Sequence, residues 1–157
     1  MTSLELKGTP LNTSMADLPA LIGEKLGPTN WTEMTQEEVN TFADLTNDHN
    51  YIHVDPETAK NSPFGGTVAH GFFTLALVAC AGRLLQISDA ATAVNYGLDK
   101  VRFPAPLPVG RRWRGVAEIA AVEEVKGGVQ VKLISKIEVE DSDRPAVSAE
   151  CLVRFYS

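Results

Sequence analysis

Apolar residues change their spacing about halfway along this chain, from helical to alternating. In the first half, Leu18, Leu21, Ile22 and Lys25 recur at helical spacing, predicting a short helix from Met15 to Leu26 that Gly27-Pro28 stops. Trp31 to Met34 reads as a short strand. Thr35-Gln36-Glu37-Glu38 is a capping box, in which the Thr35 hydroxyl accepts from the N3 amide while Glu38 reaches back. Val39, Phe42, Ala43 and Leu45 then line one face of a helix from Gln36 to Leu45. Thr46 to Asn50 is a polar break. Asp55-Pro56 is an N-cap and N1 pair opening a short helix to about Lys60, and Pro63-Phe64-Gly65-Gly66 is a loop. His70 to Leu85 is apolar on every side and long enough for a helix, and a helix without a polar face must be surrounded by protein. Four strand-like stretches follow: Thr92 to Phe103, Arg111 to Val125, Gly128 to Val139 and Ala146 to Tyr156. Val129, Val131, Leu133 and Cys151, Val153, Phe155 alternate most clearly. The breaks are Pro104 to Gly110, Gly127-Gly128 and Asp141 to Pro145, the first longer than a tight turn. Neighbouring strands without intervening helices form an antiparallel sheet, here curled around one buried helix: the fold class is α+β. The first 14 residues, polar with Gly8 and Pro10, read as an arm, and 15–157 as a single domain.

Composition narrows this picture. A chain of 157 residues suits one core and needs no metal or disulfide for stability. Cys80 and Cys151 both lie in apolar runs, where a thiol behaves as a small hydrophobe, so a reducing compartment is expected. The net charge of −6 argues against nucleic acid as a partner. The start of the chain lacks a basic segment followed by an apolar one, and Gly71 to Gly82 is well short of the ~20 residues that cross a bilayer. No membrane association is expected, and the cytoplasm is the default location.

Candidate chemistry concentrates in Thr46-Asn47-Asp48-His49-Asn50-Tyr51-Ile52-His53. Asp48 and His53 both exchange protons near neutral pH, and five residues apart on a bent loop they can converge on one water. Asn50 supplies a donor and an acceptor between them. Turn chemistry alone also accounts for Asn47, Asp48 and Asn50. Val68-Ala69-His70-Gly71 opens the apolar helix, so its first amides lack intrahelical partners. An amide there, strengthened by the helix dipole, is a donor for a developing oxyanion, and Gly71 allows close approach by a carbonyl. The plainer reading of Gly71 is close packing at the helix start.

The stretch FADLTNDHNYIH, Phe42 to His53, followed by AHGF at Ala69 to Phe72, resembles the MaoC-like, type 2 (R)-specific enoyl-CoA hydratases. VRFPAPLPVG, Val101 to Gly110, is similar to the segment after that family's first long strand. The resemblance implies the hot-dog fold, with an antiparallel sheet wrapped around a long central helix. It also implies addition of water to trans-2-enoyl thioesters to give (R)-3-hydroxyacyl thioesters, or the reverse. Asp48 and His53 would activate the water, Asn50 would orient them, and the Gly71 amide would bind the thioester oxygen. The substrate would be an acyl-CoA or acyl-carrier-protein thioester, coenzyme A being part of it, with no separate cofactor, and the protein a homodimer. Asn47 stands where glycine is usual and Tyr51 where proline is usual. Asparagine tolerates the left-handed backbone, whereas Tyr51 gives up rigidity.

Other readings stay open. Lys100 and Arg102, with Arg111, Arg112 and Arg114, could neutralise coenzyme A phosphates or be the solvated face of two strands. His49 and His53, with Asp48 and His70, could form a metal set, but the segment reads as a loop and no Cys pair supports it, so no metal is expected. The small residues Ala76, Ala79, Ala81 and Gly82 fit close packing and could also shape an acyl tunnel. A thioesterase of the same fold and a non-catalytic acyl-thioester-binding subunit are the alternatives, because fold does not fix function.

Overall fold

The computed structural model describes residues 7–157. In chain order its elements are β1 (Leu11–Thr13), a 3₁₀ turn (Leu18–Leu21), β2 (Lys25–Leu26), β3 (Thr32–Glu33), α1 (Gln36–Thr46), α2 (Tyr51–Val54), α3 (Pro56–Ala59), α4 (Gly71–Ala76), α5 (Ala79–Gly82) and β4 (Leu85–Ile87). Four long strands follow: β5 (Thr92–Arg102), β6 (Arg112–Val125), β7 (Gly128–Val139) and β8 (Val147–Tyr156). The main sheet runs β2-β6-β7-β8-β5, with β3 also on β6, and every pairing in it is antiparallel. β5 and β6 are consecutive in sequence but not neighbours in the sheet, so Pro104 to Gly110 has to carry the chain across. A two-residue turn could not.

Alternation along the strands decides which side of the sheet is covered. Trp113, Ala117 and Ile119 of β6, Val131, Leu133 and Ile137 of β7, and Val147, Ala149 and Phe155 of β8 are buried. They join Leu77, Val78 and Ala81 of the helical segment in two packed clusters. Gly115 lets β6 pass close to that segment, since a Cβ there would sit 3.4 Å from the Ala81 Cβ. A sheet curled on one central helical segment is the hot-dog arrangement, in the α+β class.

Three expectations change. The N-terminal helix does not form: Leu18–Leu21 is one turn with Pro19 at its start, and Gly23 at φ 96° ends it. Gly23 N–H and the Glu24 carbonyl then bond Ile119 at the edge of β6, and Lys25–Leu26 joins that edge as β2. An open sheet edge supplies more backbone partners here than an isolated helix of about three turns. The expected arm also contains structure, because Leu11–Thr13 pairs in parallel with β4; residues 1–6 lie outside the described residues.

The apolar segment is not one unbroken helix, nor wholly enclosed. Val78 and Cys80 bond back three residues rather than four, tightening the chain between α4 and α5 while the backbone stays right-handed. Leu85 belongs to β4. Phe72 is 77% exposed, and Ala76 and Ala79 are exposed on the same side. Leu45, expected on the inner face of α1, is also exposed, while Val39 and Ala43 are buried.

Candidate active site

Three short elements bring the polar segment to the start of α4. The Thr35/Glu38 capping box fixes where α1 begins. At its other end Asn47 adopts φ 57°, ψ 30°, the left-handed cap that asparagine supplies in place of glycine. That cap turns the chain so that Asp48 leaves α1 and Asn50 can start α2, its side-chain oxygen accepting from the Ile52 amide. Tyr51 takes the first position of α2, a position that proline also favours. The sequence showed no helix here. One turn from Tyr51 to Val54 now carries His53.

His53 is buried, and its Nδ1 donates to the Val68 carbonyl at 2.7 Å. A carbonyl only accepts, so the proton resides on Nδ1 and the lone pair on Nε2. Burial pushes the imidazole below its usual value, and the nearby His70 ring acts in the same direction; the Val68 bond and the Asp48 carboxylate oppose them. Gln36 Nε2 donates to the His53 carbonyl at 2.7 Å, and Thr67 Oγ1 donates to Gln36 Oε1 at 2.6 Å. The His53 backbone is thereby tied to α1 and to the segment before α4. Asp48 is exposed, and its Oδ1 accepts from the Asn50 amide at 3.4 Å.

The site gathers around His70. Its Nε2 donates to the Asp48 backbone carbonyl at 2.9 Å, and its ring stacks on His53 with centroids 3.8 Å apart. A carboxylate oxygen of Asp48 and a ring nitrogen from each of His53 and His70 lie within 4.8 Å of one another. The next residue is Gly71, exposed, at the first position of α4, with the Phe103 ring 3.5 Å from where a Cβ would be. As α4 has six residues before the tightened joint, the Gly71 amide acts chiefly as a single N–H rather than as the end of a long dipole. Asp48, His53, Asn50 and Gly71 thus fall in one neighbourhood. Gln36, Thr67 and the contacts of the His70 ring were not singled out from the sequence.

Of the four residues of the metal set, Asp48, His53 and His70 place one ligand atom each within 4.8 Å of one another, whereas His49 lies apart. His49 turns outward to Asp44 at 2.8 Å. The His53 and His70 planes are only 26° from parallel. With His53 Nδ1 and His70 Nε2 committed to backbone carbonyls, the nitrogens left over are His53 Nε2 and the buried His70 Nδ1. Lys100 and Arg102 lie exposed on β5, just before Phe103. Arg111, Arg112 and Arg114 are paired with Asp141, Glu140 and Glu138, whereas Lys100 and Arg102 take part in no ion pair among the described residues.

A groove of about 640 Å³ runs between the helical segment and the sheet. Leu75, Val78, Ala79 and Gly82 border it on one side, with Leu98, Leu133, Cys151 and Phe155 among the strand residues opposite. The catalytic candidates do not line it. Leu75, among its lining residues, lies one turn along the helix from Gly71.

The chain was compared with known proteins. It is 51% identical over 144 residues to the 3-hydroxyacyl-thioester dehydratase Z of Mycobacterium tuberculosis, covering 90% of this chain and 95% of that protein. It is 40% identical to nodulation protein N of Rhizobium leguminosarum, over 87% of each chain. Among solved structures, the (R)-hydratase of A. caviae involved in PHA biosynthesis superposes with a TM-score of 0.69 at 26% identity, covering 84% of this chain and 94% of that one. The monoamine oxidase regulatory protein of Archaeoglobus superposes with a TM-score of 0.76 at 21% identity, covering 95% and 99%, a likeness of fold. The model of the MaoC like domain matches residues 17–141, and with that span matched the chain belongs to the MaoC-like domain family.

Proposed function

We propose that this protein adds water across the double bond of trans-2-enoyl-CoA thioesters to give (R)-3-hydroxyacyl thioesters, and catalyses the reverse dehydration. It is a hydro-lyase. The observation that carries this reading is the convergence of Asp48 and His53 on His70, the residue directly before the Gly71 amide. The 51% identity to a named 3-hydroxyacyl-thioester dehydratase supports the same reaction class.

In the hydration direction, the His53 Nε2 lone pair, working with the Asp48 carboxylate, takes a proton from water as its oxygen bonds to C3. The π pair of the double bond shifts toward the thioester, whose oxygen becomes negative and accepts from the Gly71 N–H. A proton then reaches C2, and the balance is one water consumed. One preorganised donor of this kind contributes roughly 2.7–4 kcal/mol to the transition state. Asn50 positions His53 by capping α2 and Asp48 through its own amide. Lys100 and Arg102, exposed beside Phe103, suit the phosphates of coenzyme A.

We also infer a homodimer. β5 is an unpaired edge of 11 residues with Val94, Tyr96 and Leu98 exposed, and Phe72 is exposed on the helical segment. A long apolar edge of this kind needs cover. A second copy laid along β5 would supply it; light scattering should give twice the chain mass, and a stable monomer refutes the inference.

The direct assay is loss of conjugated-thioester absorbance with crotonyl-CoA and longer trans-2-enoyl-CoAs, followed by chiral analysis. An (R)-3-hydroxyacyl product without release of thiol is expected. Thiol release without hydration would point to a thioesterase instead.

The His53 environment predicts the pH response. The free imidazole titrates near about 6.5, and burial lowers His53 in the folded chain. The neutral base therefore persists below that pH, and the acidic limb of kcat/KM should fall below about 6.5. Stability follows the same linkage. The unfolded state binds the proton more readily, so His53 favours the native state above about 6.5 and loses that contribution as pH falls through the lower folded value. A kcat/KM limb above 6.5 would reject His53 as the base.

A further inference from the structure

His70 is 3% exposed and held on every side. Its carbonyl accepts from both the Thr74 amide and the Thr74 hydroxyl. One ring face stacks on His53, and Phe42 packs against the same imidazole with centroids 5.0 Å apart, itself stacked on Phe73 at 4.9 Å. These rings link α1, α2 and α4. Because Nε2 faces a carbonyl, it carries the proton, which leaves Nδ1 as an acceptor. Nδ1 is buried and has no partner.

Packing alone does not account for an imidazole here. A phenyl ring would extend the same aromatic column without burying an unpaired acceptor, which is unfavourable. What imidazole adds is the Nε2–H bond to the main chain of Asp48, 22 residues away in sequence. We propose that His70 is a positioning residue that holds the Asp48 backbone through Nε2–H and the His53 ring through its face, setting both relative to the Gly71 amide that follows it. His70 is assigned no proton transfer, since Nε2–H is committed to the Asp48 carbonyl and Nδ1 is buried without a partner. The assignment rests on the hydratase reading of Asp48 and His53.

The test uses the full chain with His70→Phe and His70→Gln. Phenylalanine keeps a ring and removes the donor, whereas the glutamine amide restores a donor at about the reach of Nε2. His70→Phe should fold, with unchanged far-UV circular dichroism, and lose about 10- to 100-fold in kcat with KM within about threefold, the scale expected when catalytic groups are slightly misplaced. His70→Gln keeps the donor and gives up the ring face, so it should lose less kcat than His70→Phe, the donor being what a phenyl ring cannot replace. Wild-type kcat in His70→Phe, equal losses in the two variants, or a loss confined to KM would each overturn the proposal. Imidazole ¹⁵N NMR of the wild-type protein gives a readout independent of turnover and of how the variants fold. The His70 proton is expected on Nε2, and finding it on Nδ1 overturns the arrangement. Absence of turnover with every trans-2-enoyl-CoA would instead strike the hydratase reading, while the NMR result still decided the His70 geometry.

Discussion

Asp48→Asn and His53→Ala are each expected to lower kcat for trans-2-enoyl-CoA hydration by at least about 10²–10⁴-fold, the range that positioned acid–base groups supply. The two substitutions disturb the fold differently, which separates chemistry from stability. The Asp48 side chain is exposed and accepts only at 3.4 Å from Asn50, so asparagine keeps its shape and should change stability within about 0.5 kcal/mol. His53→Ala removes a buried ring, the bond to Val68 and the stack on His70, so a lower melting temperature is expected as well. Kinetics on the folded fraction, with KM measured alongside, tests the assignment. Groups that act as a unit are non-additive, so the double variant should be little worse than the poorer single one. Wild-type kcat in either folded variant would remove that residue from the mechanism.

What the sequence disclosed about this site follows the range of the interactions involved. Asp48, Asn50 and His53 share one loop, so their proximity is local, and Thr35/Glu38 and Asp55-Pro56 announce their caps within four residues. The long strands were legible because alternation is also local, and β5 to β8 begin and end within a residue of the pattern. Gln36 meets Thr67 across 31 positions and the His53 carbonyl across 17, and no periodicity encodes such contacts. The misread N-terminal helix has a related cause. Leu18, Leu21 and Ile22 are helically spaced, but Leu18 alone is buried, and the vacant edge of β6 decides where Lys25 and Leu26 go. The apolar run from His70 was read as fully enclosed because hydrophobicity alone does not distinguish a buried apolar side chain from an exposed one. Phe72, at 77% exposure, lies on the open side of that run with Ala76 and Ala79.

Chain length should have the other large effect. An acyl chain attached to a thioester at Gly71 would next meet Leu75 and then the groove bordered by Val78, Ala79 and Gly82. Each buried methylene contributes about 0.8 kcal/mol, so four more carbons, from a C4 to a C8 enoyl-CoA, give roughly 3 kcal/mol. That corresponds to about 10²-fold in kcat/KM at about 1.4 kcal/mol per decade. Cys151 lies on the groove wall formed by β8, opposite Leu133 on β7 and Leu98 on β5. Cys151→Phe would fill the groove without touching Asp48, His53 or Gly71, so it should keep C4 turnover within a few-fold while erasing most of the C8 advantage. Overpacking costs about 1–3 kcal/mol, which a melting curve would register separately. Cys151→Ala, which leaves the groove open, should retain the preference for C8. Equal kcat/KM for C4 and C8 in the wild type, or a Cys151→Phe variant that still favours C8, would show that the acyl chain takes another path.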